Sequence, residues 1–154
     1  FGDARRAVRS TVGVLADTME RQGIHVVVDV PERLPAVACG QGDLEQLVLN
    51  LATNARDAMP NGGTLRIEAA GEGGNVTLAI ADTGRGIEPA LLARIEEPFF
   101  TTKAQGTGLG LATCRAIVSE IRGDLTIDSV LGRGTTVTVR IPTVPEPAEP
   151  REVR

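Results

Sequence analysis

The first part of the chain changes from helical to strand-like hydrophobic spacing and back again. From about Asp3 to Arg21, apolar residues recur at helical spacing, and Gly23 follows where a helix would end. The run from Ile24 to Val30 is rich in β-branched residues, which indicates a strand. Asp43 to Met59 returns to helical spacing and is followed by the turn sequence Pro60-Asn61-Gly62-Gly63. The pattern predicts helix, strand and helix in that order.

The second part contains two predicted hairpins separated by a long irregular segment. Apolar and polar residues alternate on both sides of a turn at Gly71 to Gly74, and again around Gly132 to Gly134. Residues 82–107 lie between the hairpins and are longer than an ordinary loop, which is typical of a functional segment. A third helix is predicted from about Leu109 to Ile121. After Pro142 the chain is rich in proline and glutamate, and we expect a disordered tail.

This order of elements favours an α/β fold. Two antiparallel hairpins together with amphipathic helices predict a two-layer α/β sandwich, in which helices cover one face of a mixed, mostly antiparallel sheet. We expect residues 1–22 to form a helix that leads in from an upstream element, residues 23–142 to form the domain, and residues 143–154 to form the tail or a linker.

Composition and charge narrow the possible functions. With 154 residues, 2% aromatic residues and 18 glycines, the chain fits one domain with an aliphatic core and several glycine-dependent backbone positions. The net charge of -4 does not favour nucleic acid or anionic lipid, because phosphate backbones are bound by a surplus of lysine and arginine. We therefore expect no nucleic-acid partner and no membrane contact by this chain, with any bound phosphate held locally.

Cysteine use and the chain start suggest the cellular context. Cys39 and Cys114 form no CxxC motif, so we expect free, mostly buried thiols in a reducing compartment rather than a zinc or redox site. No run of about 18 apolar residues could span a bilayer. We expect a cytoplasmic domain, cut from a longer parent that can itself be membrane-anchored, because the chain begins at Phe1 without an initiator methionine.

A polar stripe runs along the predicted helix from Asp43 to Met59. Gln46, Asn50, Asn54 and Asp57 lie roughly 100° around the helix axis from its apolar face. Two asparagines in mid-helix cost about 1 kcal/mol in total relative to alanine, because their amides compete for the backbone. The stripe is either a solvent-facing surface or a row of amide oxygens that bind a hard cation such as Mg²⁺ or contact phosphates.

A second motif, Asp82-Thr83-Gly84-Arg85-Gly86-Ile87, begins where a predicted strand ends. A carboxylate followed by two glycines suits recognition of a flat ring that carries an amine, since Asp82 could accept a hydrogen bond from an adenine amino group. The alternative is an ordinary Asp-Gly turn.

Two further glycine motifs follow along the chain. Gly106-Thr107-Gly108-Leu109-Gly110-Leu111 opens a predicted helix, where bare N–H groups and the helix dipole can hold an anion. It lacks the GK[ST] of a P-loop, and Phe99-Phe100-Thr101-Thr102-Lys103 stands where a Rossmann strand would be. A glycine-rich loop with an incidental lysine is the alternative. Gly132-Arg133-Gly134-Thr135-Thr136 is explained by tight-turn chemistry alone.

Taken in order, these motifs resemble the boxes of the GHKL (Bergerat-fold) ATPase and kinase superfamily, and within it those of sensor histidine kinases. The similar segments are the N box at Leu47–Ala58, the G1 box at Asp82–Ile87, the F box at Glu97–Lys103, the G2 box at Gly106–Leu111 and the last glycine box at Gly132–Thr136. The resemblance implies the Bergerat ATP-binding fold, ATP with Mg²⁺ as cofactor, and an ATP lid from Phe99 to Gly106.

The resemblance also implies a role for each matching residue. Asn50 and Asn54 would hold Mg²⁺ and the phosphates, and Lys103 would contact a phosphate; these are the expected catalytic residues. The expected nucleotide-binding residues are Asp57, Asp82, Gly84, Gly86, Ile87, Phe100, Thr102, Gly106, Thr107, Gly108, Leu109, Gly110, Leu111 and Thr135. One departure is Glu96, where an aromatic residue is usual, and it places the packing of the lid in question.

Position 50 separates kinase from ATPase within the superfamily. Gyrase, chaperone and mismatch-repair relatives carry a glutamate there as the base that activates water, and the amide of Asn50 cannot take a proton. The resemblance therefore implies a histidine protein kinase, whose partners are ATP or ADP, a helical dimerisation and phosphoacceptor domain, and a downstream response regulator. The only histidine, His25, has no acceptor pattern around it, so the phosphoacceptor is expected outside this chain. The alternatives are a nucleotide-sensing module without transfer and a GHKL-type ATPase.

Overall fold

The computed structural model describes residues 1–92, 94 and 110–145. Its elements are α1 (Ala4–Arg21), β1 (Ile24–Asp29), α2 (Gln41–Asp57), β2 (Gly63–Glu72), β3 (Asn75–Asp82), α3 (Pro89–Leu92), α4 (Gly110–Glu120), β4 (Asp124–Val130) and β5 (Gly134–Pro142). The predicted order of helices and strands is confirmed. The short helix α3 was not predicted and lies within the segment expected to be irregular.

The five strands form one mixed sheet in the order β1-β2-β3-β5-β4. β1 runs parallel to β2, whereas the other neighbouring pairs are antiparallel. The predicted α/β sandwich with a mostly antiparallel sheet is confirmed. Because β5 lies between β3 and β4, the end of β3 meets the start of β5, and Asp82 is directly opposite Thr135.

The core lies between one face of the sheet and the longer helices. Alternate residues of the central strands are buried, as at Val76, Leu78 and Ile80 on β3. Helix α2 crosses this face with fully buried residues such as Leu44 and Leu47, while α4 adds Cys114 and Val118. The two cysteines are free and buried, as predicted. Aliphatic side chains therefore fill the core, consistent with the low aromatic content.

Helix α1 is part of this core rather than a separate element in front of it. Its buried residues are Ala4, Ala7, Val8, Thr11, Leu15 and Met19. At its end, the Gln22 amide donates to the carbonyls of Arg56 and Met59, both at 2.9 Å, and so satisfies oxygens at the end of α2. At its start, Asp3 and the Gln41 side chain exchange two hydrogen bonds, of 2.7 and 3.2 Å. The boundary expected at residue 22 is thus crossed by continuous packing.

The segments before α1 and after β5 meet on the two sides of Val37. Gly2 and Thr143 each form an isolated bridge with Val37. The amide of Val144 donates to Ala36, and that of Thr143 to Gly74, both at 2.9 Å. The first residues of the expected tail are therefore hydrogen-bonded to the domain, and residues 146–154 lie outside the described part of the chain. Within the described part, no helix is long and apolar enough to cross a membrane.

Candidate functional site

The asparagine stripe of α2 lies beside the first turn of α4. Asn50 and Asn54 are half-buried, whereas Gln46 is exposed. A Cβ atom placed on Gly110, the first residue of α4, would lie 3.6 Å from Oδ1 of Asn54. The Gln46 amide donates to Oδ1 of Asn50 at 3.0 Å. Asn54 thus lies beside the start of a neighbouring helix, which rules out a stripe directed only at solvent.

Asp57 continues the stripe by one turn. Its Oδ1 atom lies 3.5 Å from Nε of Arg56, and both side chains are partly buried, with 33% and 24% exposure. The carboxylate is therefore close to the asparagines along the helix but already paired with a neighbouring cation.

Cys114 lies where α4 packs on α2. Its thiol is buried and is 3.9 Å from the carbonyl oxygen of Leu47, to which it can donate. Burial raises the pKa of Cys114 to about 11, and the neighbouring Asn50 side chain lowers it by a smaller amount. The thiol therefore stays protonated at neutral pH and acts as part of the packing behind the asparagines.

Asp82 lies at the end of β3 with a half-buried carboxylate. Its Oδ1 atom accepts hydrogen bonds from the amides of Gly84, at 2.8 Å, and Thr135, at 3.3 Å. No hydrogen bond from the residues that the structure describes reaches Oδ2. Burial raises the pKa of this carboxyl, and the two backbone hydrogen bonds lower it in part. One oxygen is held by the protein, and the other is available to a donor from a ligand.

The turn after Asp82 is held between α2 and the last hairpin. The amide of Arg85 donates to Ala58 at 3.1 Å, and a Cβ on Gly84 would overlap that same carbonyl. Gly86 has a φ of 70°, and a Cβ there would overlap the carbonyl of Val130. These contacts explain both glycines of the motif, since the backbone approaches two other elements too closely for a side chain.

The last glycine motif, which tight-turn chemistry alone would explain, also contacts this turn. The Gly132 amide donates to Arg85 at 2.7 Å, and the Ile87 amide donates to Oγ of Ser129 at 2.8 Å. A surface depression beside Asp82 is lined by Asp128, Ser129, Val130, Arg133, Gly134, Thr135 and Thr136. Ser129 was missed from the sequence, and the available signal was its place opposite Thr135 in the hairpin.

The structure thus groups the described candidates into two clusters. One contains Asn50, Asn54 and Gly110, with Leu111 following in α4 and Asp57 one turn further along α2. The other contains Asp82, Gly84, Gly86, Ile87 and Thr135. Phe100, Thr102, Lys103, Gly106, Thr107, Gly108 and Leu109 lie outside the described residues, as does Glu96.

Comparison with known proteins identifies the family. Residues 40–145 match the family model described as histidine kinase-, DNA gyrase B-, and HSP90-like ATPase. The chain belongs to this family. It is a catalytic, ATP-binding domain of the type found in two-component histidine kinases, as the following relatives show.

The curated relatives of this ATPase domain are sensor kinases. The histidine protein kinase DivJ of Caulobacter vibrioides is 37% identical over 150 residues, which cover 94% of this chain and 25% of DivJ. The two-component sensor PprA of Pseudomonas aeruginosa is 41% identical over 157 residues, which cover 96% of this chain and 17% of PprA. The chain therefore spans a quarter or less of these relatives.

Solved structures show the same fold for the ATPase domain. The catalytic domain of the histidine kinase ThkA superposes with a TM-score of 0.80 at 26% identity, covering 90% of this chain and 91% of that one. Full-length ShkA in complex with AMPPNP gives a TM-score of 0.80 at 29% identity, covering 95% of this chain and 32% of ShkA. The predicted family and fold are confirmed.

Proposed function

We propose that this domain binds Mg-ATP and transfers the γ-phosphoryl group to a histidine on an adjoining helical domain. The observation that carries the proposal is the half-buried carboxylate of Asp82, whose Oδ1 is held by two backbone amides. A fixed acceptor of this kind suits the exocyclic amine of adenine, because a charge-assisted hydrogen bond is stronger than a neutral one. ShkA, which has the same fold, was solved in complex with AMPPNP, and this supports a nucleotide ligand for the domain.

The phosphates and Mg²⁺ would be held at the asparagine cluster. Mg²⁺ prefers oxygen ligands and is commonly bound through a few protein oxygens together with substrate phosphates. The amides of Asn50 and Asn54 fit this requirement, because both are half-buried and lie beside α4, a helix of 11 residues, Asn54 next to Gly110 and Asn50 next to Cys114. The bound ion would neutralise charge on the phosphates, and Lys103 is proposed as a further phosphate contact.

Phosphoryl transfer is favoured over hydrolysis by the side chain at position 50. The Asn50 amide cannot act as a general base toward water, and its Oδ1 already accepts a hydrogen bond from Gln46. A histidine acceptor is itself a nucleophile and needs less activation. His25 lies on β1 at the far edge of the sheet from β5, so the acceptor would come from the helical domain of the parent. From that histidine, the phosphoryl group would pass to a response regulator.

Calorimetry with ADP and Mg²⁺ tests the binding part of the proposal. We expect Asp82→Asn to weaken binding by about 10-fold or more, since the amide presents a donor to the adenine amine. Asn54→Ala should weaken Mg²⁺-dependent binding to a similar degree. Glu68→Gln on β2 and Asn61→Ala in an exposed turn are the matched controls and should bind as wild type. Unchanged binding by both site variants would overturn the proposed site.

Radiolabelled ATP tests the transfer. The parent's helical domain is mixed with the chain, and acid-labile phosphohistidine is measured together with released phosphate. Label on the helical domain is the expected result. Rapid phosphate release without label would assign the domain to the hydrolysing branch of the family.

A further inference from the structure

We propose that Ser129 is a positioning residue that orients the Thr135 hydroxyl as a hydrogen-bond acceptor and thereby favours bases with an exocyclic amine. The proposal rests on the proposed nucleotide site at Asp82 and adds a residue that sequence motifs did not indicate. Ser129 is half-buried near the end of β4, directly opposite Thr135 on β5.

Three groups surround the Ser129 hydroxyl at hydrogen-bonding distance. The Ile87 amide lies at 2.8 Å, the carbonyl oxygen of Gly134 at 3.1 Å and Oγ1 of Thr135 at 2.8 Å. The amide can only donate and the carbonyl can only accept, whereas the threonine hydroxyl can do either. Ser129 has one hydrogen and two lone pairs. All three contacts are satisfied in one arrangement, in which Ser129 donates to Gly134 and accepts from Ile87 and Thr135.

This arrangement fixes the direction of the Thr135 hydroxyl. The Thr135 hydroxyl donates its hydrogen to Ser129, so it can only accept a hydrogen bond from a ligand. Thr135 is also the cross-strand partner of Asp82, which places the two side chains on the same face of the sheet. The site therefore presents two acceptors, Oδ2 of Asp82 and Oγ1 of Thr135, on that face.

Ser129 also holds the peptide group that supports Asp82. The carbonyl of Gly134 and the amide of Thr135 belong to one peptide plane. Ser129 donates to that carbonyl, and that amide donates to Oδ1 of Asp82. Because the peptide is planar, fixing its oxygen also fixes the direction of its N–H bond. Loss of the serine hydroxyl would loosen the support of Asp82, release the hydrogen of Thr135 and remove the acceptor for Ile87.

The test compares two nucleotides whose bases differ in the C6 substituent and, with it, in the hydrogen on N1. Adenine carries an amino group where hypoxanthine carries a carbonyl, so the ratio of affinities for ADP and IDP reports the acceptor character of the site. We expect wild type to prefer ADP and Ser129→Ala to reduce the ADP-to-IDP ratio about 3- to 10-fold, the effect of one neutral hydrogen bond. The free Thr135 hydroxyl can then turn and donate to the hypoxanthine carbonyl.

Two variants distinguish positioning from a general loss of structure. Ser129→Thr keeps the hydroxyl and should restore the ratio to within about 2-fold of wild type, below the change expected from loss of one neutral hydrogen bond. Thr126→Ala removes a hydroxyl from the opposite face of β4 and should leave the ratio unchanged. If Ser129→Ala fails to fold, Thr135→Val removes the oriented hydroxyl itself and should also lower the ratio, and an unchanged ratio in that variant would overturn the proposal.

A double-mutant cycle completes the experiment. In a Thr135→Val background, Ser129→Ala should change the ratio less than it does in wild type, because only the support of Asp82 through the Gly134–Thr135 peptide is then left to lose. An undiminished change would show that Ser129 does not act through the Thr135 hydroxyl. Equal losses of ADP and IDP affinity in Ser129→Ala, with the ratio unchanged, would overturn the proposal while leaving the nucleotide site intact. Absence of ADP binding by wild type would overturn the proposed function itself, and this inference with it.

Discussion

The backbone amide of Gly132 donates a hydrogen bond to the carbonyl of Arg85 at 2.7 Å, which joins the β4–β5 turn to the turn after β3. Two glycine motifs separated by some fifty residues of sequence therefore form one structural unit around Asp82. Since this unit is assembled from backbone contacts, its stability should depend most on residues that let the backbones approach.

Gly86→Ala and Gly132→Ala provide a matched test of that dependence. Both glycines have positive φ, 70° and 81°, but only a Cβ at Gly86 would meet another backbone, that of Val130. We expect Gly132→Ala to cost about 1–2 kcal/mol from the φ angle alone. Gly86→Ala should cost at least about 1 kcal/mol more, because the clash with Val130 adds to the same penalty. Urea unfolding of both variants measures the difference, and equal losses would contradict the close approach.

Asp82→Asn should stabilise the ligand-free domain at higher pH although it weakens ADP binding. Because burial raises the pKa of Asp82, the folded protein binds this proton more tightly than the unfolded chain does. The protonated carboxyl of Asp82 therefore contributes to the free energy of unfolding at low pH. This contribution is lost as the pH rises from about 4, the pKa of an ordinary carboxyl group, through the higher pKa of Asp82 in the folded protein. The side-chain amide of Asp82→Asn is not charged at any pH, so its burial does not become less favourable as the pH rises. Its oxygen can still accept hydrogen bonds from the amides of Gly84 and Thr135. The ligand-free variant should thus gain stability relative to wild type with rising pH.

Urea unfolding of both proteins at several pH values, without nucleotide, measures this gain. A stability difference that shrinks as the pH rises would show that the carboxylate is better stabilised in the fold than in water. Loss of ADP affinity by the same variant would then identify a residue retained for binding at the expense of stability.

Asn50→Glu should open a route to hydrolysis. A carboxylate at this position keeps an acceptor for Gln46 and adds a group that can take a proton from water. We expect phosphate release to rise about tenfold, less than the 100-fold or more of a fully positioned base. Asn50→Gln is the control, since it adds the same length without a base. Equal rates for the two variants would indicate that position 50 does not face the attacking water.

Gln22→Ala should destabilise the domain without touching the site. It removes two hydrogen bonds that satisfy the carbonyls of Arg56 and Met59 at the end of α2. A loss of about 1–3 kcal/mol is expected in urea unfolding, with ADP affinity of the folded protein unchanged. Glu20→Ala, at an exposed position of α1, is the control and should change stability by less than about 0.5 kcal/mol.

The sequence predicted those parts of the fold that follow from local periodicity. The bounds of α1 and α2 and both hairpins agree with the structure to within a few residues. Periodicity did not predict the parallel pairing of β1 with β2 or the insertion of β5 beside β3, because such pairings depend on distant residues. The extension of order to Val144 has the same origin, since its partner is Ala36.

The functional site likewise contains residues that the sequence predicted and one that depends on contacts between distant segments. Asp82 and the asparagines stand out in the sequence, because each is unusual for its local structure. Ser129 does not, because a serine near a hairpin turn is ordinary. Its contacts with Ile87 and Thr135 exist only once the turn after β3 is folded against the hairpin.

The hydrogen bonds from Gln22 to the end of α2 also couple the positions of the two helices. Helix α1 packs along α2, and hydrogen bonds join the two helices at both ends, through Gln22 and through Asp3. These contacts hold α1 firmly against the helix that carries Asn50 and Asn54. A displacement of α1 would therefore be transmitted to α2 and would shift the two asparagines with it.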